Sequence, residues 1–113
     1  MSKETIKVIL KRPGEKAFTT EIPNTLEALQ NEVGGWIEIT RPFSDAAIIC
    51  NEEGILLDMP ANVRYGSVLY FGPIVIAGTV LGPDGEEFTD IPDGAESITY
   101  FLNRQAKAQG LLH

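Results

Sequence analysis

The sequence predicts an α+β domain: a mainly antiparallel sheet of five to seven short strands, one helix at about residues 25–33 packed on a face, and a C-terminal helix. Two observations predict it. Short β-branched and apolar runs recur between Gly, Pro, Asn and Asp punctuation. Helical spacing of apolar residues appears in two places, near residue 29 and near residue 102. With 113 residues, the chain suits a single domain spanning 1–113 around one small core, closed without disulfides or metal.

From Lys3 to Leu10 the residues Ile6, Val8 and Leu10 fall at period two, with Lys7 and Lys11 on the opposite, solvated face. Pro13-Gly14 turns the chain, and Phe18, Thr20 and Ile22 share one face of a second strand that pairs back on the first. Asn24 is placed to cap a helix, with Glu27 three residues on; Leu26, Leu29 and Val33 form its apolar side, and Gly34-Gly35 stops it.

Trp36 to Thr40 and Ala46 to Cys50 read as strands. Asn51-Glu52-Glu53-Gly54 has the composition of a short hairpin loop, after which Ile55 to Leu57 is expected to return antiparallel. Residues 58–66, with Pro60, Asn62 and Gly66, read as an ordered loop. Val68–Phe71 and Ile74–Ala77 are apolar, separated by Gly72-Pro73, and are expected at the centre of the sheet. Pro83-Asp84-Gly85 marks a turn. Asp93 and Glu96 repeat the cap spacing, and Ala95, Ile98, Leu102 and Gln105 mark one face of a helix ending near Gly110.

A hydrophobic fraction of 43% and a charged fraction of 22% describe an ordinary soluble globular protein. No apolar block precedes a small-residue cleavage site, and no run approaches the roughly 20 apolar residues of a membrane helix, so a cytoplasmic protein without a membrane partner is expected. The net charge of −7 is uneven: Lys3, Lys7, Lys11, Arg12 and Lys16 crowd the start, and no Lys or Arg lies between Arg64 and Arg104. A nucleic-acid binder needs a basic face to neutralise phosphates, so no direct nucleic-acid contact is expected.

Cys50 is the single cysteine, which excludes an intrachain disulfide and a thiolate zinc site. With His113 as the single histidine, catalytic pairs and metal sites built on imidazole have no basis, and Cys50 reads as a buried strand thiol. The acidic run Asp84, Glu86, Glu87, Asp90 and Asp93 misses the calcium-loop spacing, and no glycine cluster has the order of a phosphate loop. No catalytic residue, metal or cofactor is assigned.

The segment from Asn51 to Arg64 holds the candidate binding residues Asn51, Glu52, Glu53, Asn62 and Arg64. Glu52 and Glu53 either form a solvated turn or present charge to a partner. Asn62 and Arg64 either fasten the loop, Arg64 bridging to Glu52 or Glu53, or face a ligand.

Pro13-Gly14, the helix Thr25 to Val33 running into Gly34-Gly35-Trp36-Ile37-Glu38, the run Ile48 to Gly54, and Pro60-Ala61-Asn62 together resemble the domain of unknown function 3846 family over most of the chain. The resemblance implies a small bacterial protein of phage, prophage or conjugative-element settings, with no activity and no catalytic residue to carry over. The arginine after the loop asparagine stands one position further on here, with Val63 between Asn62 and Arg64.

The expected function is a non-enzymatic accessory or binding protein of a mobile element, acting through contacts with a host or element protein at the Asn51–Gly54 and Asn62–Arg64 loops. Three other readings stand beside it. One is an acidic DNA mimic that blocks a host protein; another is a small enzyme or ligand-binding domain using Asn51, Glu52 or Glu53, Asn62 and Arg64. The third is a homodimer joined through Leu111, Leu112 and the second helix.

Overall fold

A computed structural model describes residues 4–112; the Lys3 start of the first strand and His113 lie outside the described residues. The elements are β1 (Thr5–Lys11), β2 (Phe18–Pro23), α1 (Leu26–Val33), β3 (Ile37–Thr40), β4 (Ala46–Asn51), β5 (Ala61–Tyr65), β6 (Val68–Phe71), β7 (Ile74–Gly82), β8 (Gly85–Thr89) and α2 (Glu96–Ala108). The protein is α+β, with a mainly antiparallel sheet and two helices. The main sheet runs β2-β1-β7-β4-β3, with β8 pairing on the far half of β7, and β5–β6 forms a separate hairpin.

β7 takes the centre because it has no polar face to keep wet: Ile74, Val75, Ile76 and Ala77 are all buried. Ile76 is flanked by Ile9 of β1 and Ile48 of β4, both antiparallel. Strand alternation then divides the apolar residues into two layers. Ile6, Val8, Leu10, Ile22, Ile49, Val75 and Ala77 meet Leu29 and Val33 of α1 on one face. Ile9, Ile48, Cys50, Ile74 and Ile76 meet Val63 and Tyr70 of the hairpin and Ala95, Leu102 and Ala106 around α2 on the other. Each fully buried Ile or Leu contributes about 1.5–3 kcal/mol.

Past its first half, β7 leaves the sheet centre to pair with β8, and Gly78 makes that crossing possible. A Cβ there would lie 2.0 Å from the Asp90 carbonyl oxygen. The Asp90–Ile91 segment in turn extends the free side of β1, since Lys7 N donates to Asp90 Oδ1 (2.8 Å) and Ile91 N to Lys7 O (2.9 Å).

Six local expectations are corrected. Thr25, in extended backbone, caps α1 and accepts from Ala28 N, whereas Asn24 donates to Phe88 O across to β8. Ala95 precedes α2 with no side-chain cap, so the Asp93–Glu96 spacing makes no capping box. Residues 58–66 contain a strand, β5, and β6 lies in the hairpin rather than at the sheet centre.

Ile55–Leu57 is not a strand. Bonds from Leu57 N to Glu53 O, Asp58 N to Ile55 O and Met59 N to Gly54 O wind the segment into successive turns, with Asp58 at φ 56°. Lys11 is fully buried, because it shares the face of Ile9 and lies under the hairpin.

Candidate functional site: an acidic groove beside the hairpin

The β3–β4 register sets Glu38 directly opposite Cys50. Both face the layer that holds β6, and Tyr70 is anchored over them: Thr40 donates to Ile48 O (3.4 Å), leaving the Tyr70 hydroxyl to donate to Thr40 Oγ1 at 2.6 Å. Between this wall and the turns after β4 lies a groove of about 350 Å³. Its walls carry Glu38, Glu52 and Glu53 as charges and Ile55, Leu56 and Val68 as apolar surface, with no Lys or Arg lining it among the described residues.

Asn51 builds the loop wall. Its Nδ2 donates to Val33 O (3.1 Å) at the end of α1, and its Oδ1 accepts from Glu53 N (2.7 Å), an Asx turn that aims the next residues outward. Glu52 N donates to Trp36 O (2.8 Å), continuing the β3 edge. Gly54 then presses on β6: a Cβ would come within 2.9 Å of Phe71 O. Held at these points, the loop displays Ile55, Leu56 and Leu57 at 72, 81 and 55% exposure. Three consecutive exposed aliphatics on a tethered loop form an apolar patch of the kind that marks a contact surface.

The groove has an unbalanced negative field. Burial pushes the Cys50 thiol up to about 11, and the Glu38 carboxylate adds to that push. Burial also raises the Tyr70 hydroxyl, opposed by its bond to Thr40 and reinforced by Cys50 and Glu38. A thiol so placed is protonated at neutral pH and lacks the electropositive setting of a nucleophile.

Of the five sequence candidates, Asn51, Glu52 and Glu53 meet in this groove, and Asn62 and Arg64 do not. Asn62 is fully buried: its Nδ2 donates to Lys11 O and Gly72 O, both at 2.8 Å, and its Oδ1 accepts from Lys11 Nζ at 2.8 Å. Arg64 is exposed and fastened by its backbone, Arg64 N to Gln109 Oε1 (2.8 Å) and Gln109 Nε2 to Arg64 O (3.1 Å). The expected bridge from Arg64 to Glu52 or Glu53 is not formed; among the described residues the ion pairs are Arg12–Glu32 and Arg41–Glu86.

Glu38, Val68 and Tyr70 join the site by tertiary packing. Period-two alternation in Trp36–Thr40 puts Glu38 with Trp36 and Thr40 on the face opposite Ile37 and Ile39, which is the one sequence signal that could have found it. Among the described residues no group of three or more His, Cys, Asp or Glu is placed to hold a metal ion, and no helix is long and apolar enough to cross a membrane.

Residues 6–111 match the model of a family described as a domain of unknown function (DUF3846). No curated protein matches the chain. No solved structure matches it.

Proposed function

The chain belongs to that family of unknown function, and from this premise we propose that it is a non-enzymatic binding protein that holds a protein partner in the groove beside β6. The partner segment carries Lys or Arg next to an apolar side chain. One observation carries the reading: Glu52 and Glu53 stand on the same tethered loop as the exposed Ile55 and Leu56, above a groove lined by no basic residue among the described ones. A cation entering there meets three exposed carboxylates at once, Glu38, Glu52 and Glu53, whose summed field draws it in. An aliphatic neighbour covers Leu56 and Val68.

The proposal takes its setting from the family resemblance, as a cytoplasmic accessory of a phage or conjugative element. Its test is a nuclear magnetic resonance titration with a short peptide in which arginines alternate with leucines, and its arginine-to-glutamate counterpart as control. Shifts confined to Glu38, Cys50, Glu52–Leu56 and Val68–Phe71, lost with the control and with E52K/E53K, are expected. Shifts spread over the surface, or equal for both peptides, would remove the reading.

A further inference from the structure

The exposed stripe of α2 has the chemistry that the groove lacks. Tyr100, Phe101, Arg104, Lys107 and Ala108 are all exposed and recur at helical spacing, on the side opposite the buried Ala95, Leu102 and Ala106. Tyr100 is 65% and Phe101 44% exposed, and the Arg104 guanidinium lies 5.9 Å from the Tyr100 ring centroid. Tyr100, Phe101, Arg104, Gln105 and Ala108 enclose a shallow depression of about 330 Å³. It is apolar with a cationic rim, the inverse of a loop that presents Leu56 between carboxylates.

The two surfaces flank one hairpin. β6 forms a wall of the groove, and β5 packs against α2, so the order across this layer is groove, β6, β5, α2. A two-fold axis over the β5–β6 hairpin therefore brings the α2 of each copy to the groove of the other, making the same contact twice, as an isologous interface requires.

We propose that the occupant of the groove, in the absence of another partner, is α2 of a second copy of this chain. Leu56 enters the depression between Tyr100 and Phe101, and Arg104 and Lys107 approach Glu52 and Glu53. The inference rests on the groove being a docking surface for basic, apolar segments. It adds a regulatory consequence: self-association and partner binding exclude each other, so the fraction of the protein free for a partner falls as the protein accumulates.

Charge exchange tests this with variants confined to exposed side chains. In sedimentation velocity the wild type is expected to dimerise with concentration, and less so at high salt. E52K/E53K alone and R104E/K107E alone are expected to be monomers, because each brings like charges together at both contacts. An equimolar mixture of the two variants restores opposite charges at both contacts and is expected to dimerise, as is the fourfold variant on its own. Far-ultraviolet circular dichroism checks that each variant folds. A wild type that stays monomeric, single exchanges that leave its dimer unchanged, or a mixture that remains monomeric would overturn the proposal. R104E/K107E keeps an intact groove, so the arginine–leucine peptide titration repeated on it separates failure of the dimer from failure of the groove.

Discussion

Lys11 and Asn62 are joined by two hydrogen bonds running in opposite directions, Nζ to Oδ1 and Nδ2 to the Lys11 carbonyl, both 2.8 Å and both buried. The third bond of the amide, to Gly72 O, ties in the segment between β6 and β7. Asn62 is thus the polar pin by which the hairpin is registered on the sheet. A buried polar contact of this kind specifies position more than it adds stability.

Asn62→Ala leaves an ammonium and two carbonyls without this partner, and is expected to cost about 3 kcal/mol in urea unfolding. Lys11→Met removes the buried charge along with its bond and is expected to cost less than about 1 kcal/mol. In the Lys11→Met background, Asn62→Ala should cost at least about 1 kcal/mol less than in the wild type. Additive effects would show that the pair does not act as a unit.

Burial lowers the Lys11 amine from its ordinary value of 10.5, with the Glu15 carboxylate pulling the other way. Below the folded value the amine is charged in both states and the cost of burying it is fully present. As pH rises through the folded value toward 10.5, the folded state gives up its proton first, so folding becomes more favourable. Unfolding free energy measured from pH 7 to pH 10.5 is expected to rise in the wild type relative to Lys11→Met.

The Cys50 thiol shifts in the opposite sense, from 9.0 to about 11. Its contribution to stability is complete below pH 9 and is lost as pH rises from 9 through about 11. At pH 8 the shift alone lowers the thiolate fraction about 100-fold relative to the unfolded chain, and alkylation by iodoacetamide is expected to slow by at least that factor. Glu38→Gln removes the second cause of the shift and should bring the thiol down, read as a lower midpoint in the pH dependence of alkylation.

Gly78→Ala forces a methyl group onto the Asp90 carbonyl, which backbone cannot yield without parting β7 from the β1 extension. A loss above about 3 kcal/mol is expected in urea unfolding, of the kind seen for overpacked cores at their most severe. The amide of Ile91 should lose hydrogen-exchange protection in the same variant.

The strands of the core were legible in the uninterrupted apolar runs Ala46 to Cys50 and Ile74–Ala77, whereas its division into two layers was not, because a run apolar on both faces does not say what covers each. α1 was legible from its Gly34 stop and its Leu29–Val33 spacing. β5 was hidden because Pro60, Asn62 and Arg64 carry loop chemistry; only the Lys11 contact gives Asn62 a reason to be in a strand. Lys11 itself followed a charge-outward rule that holds until a second layer covers the face. Ile55–Leu57 passed for a strand because its apolarity answers to a surface, which no local pattern distinguishes from a core. Glu52 and Glu53 could be found from turn composition. Glu38 and Val68 reach the groove from distant segments, which only the fold brings together.

The amide of Gln109 presents a donor and an acceptor to Arg64 as a neighbouring strand would, and Gly14 pairs with Leu112 in a parallel bridge. Residues 109–112 therefore fasten the β5 edge and the turn after β1 from beyond α2. During synthesis β1 and β2 can pair early, but the β5 edge and the Gly14 turn gain these partners only once residues 109–112 exist.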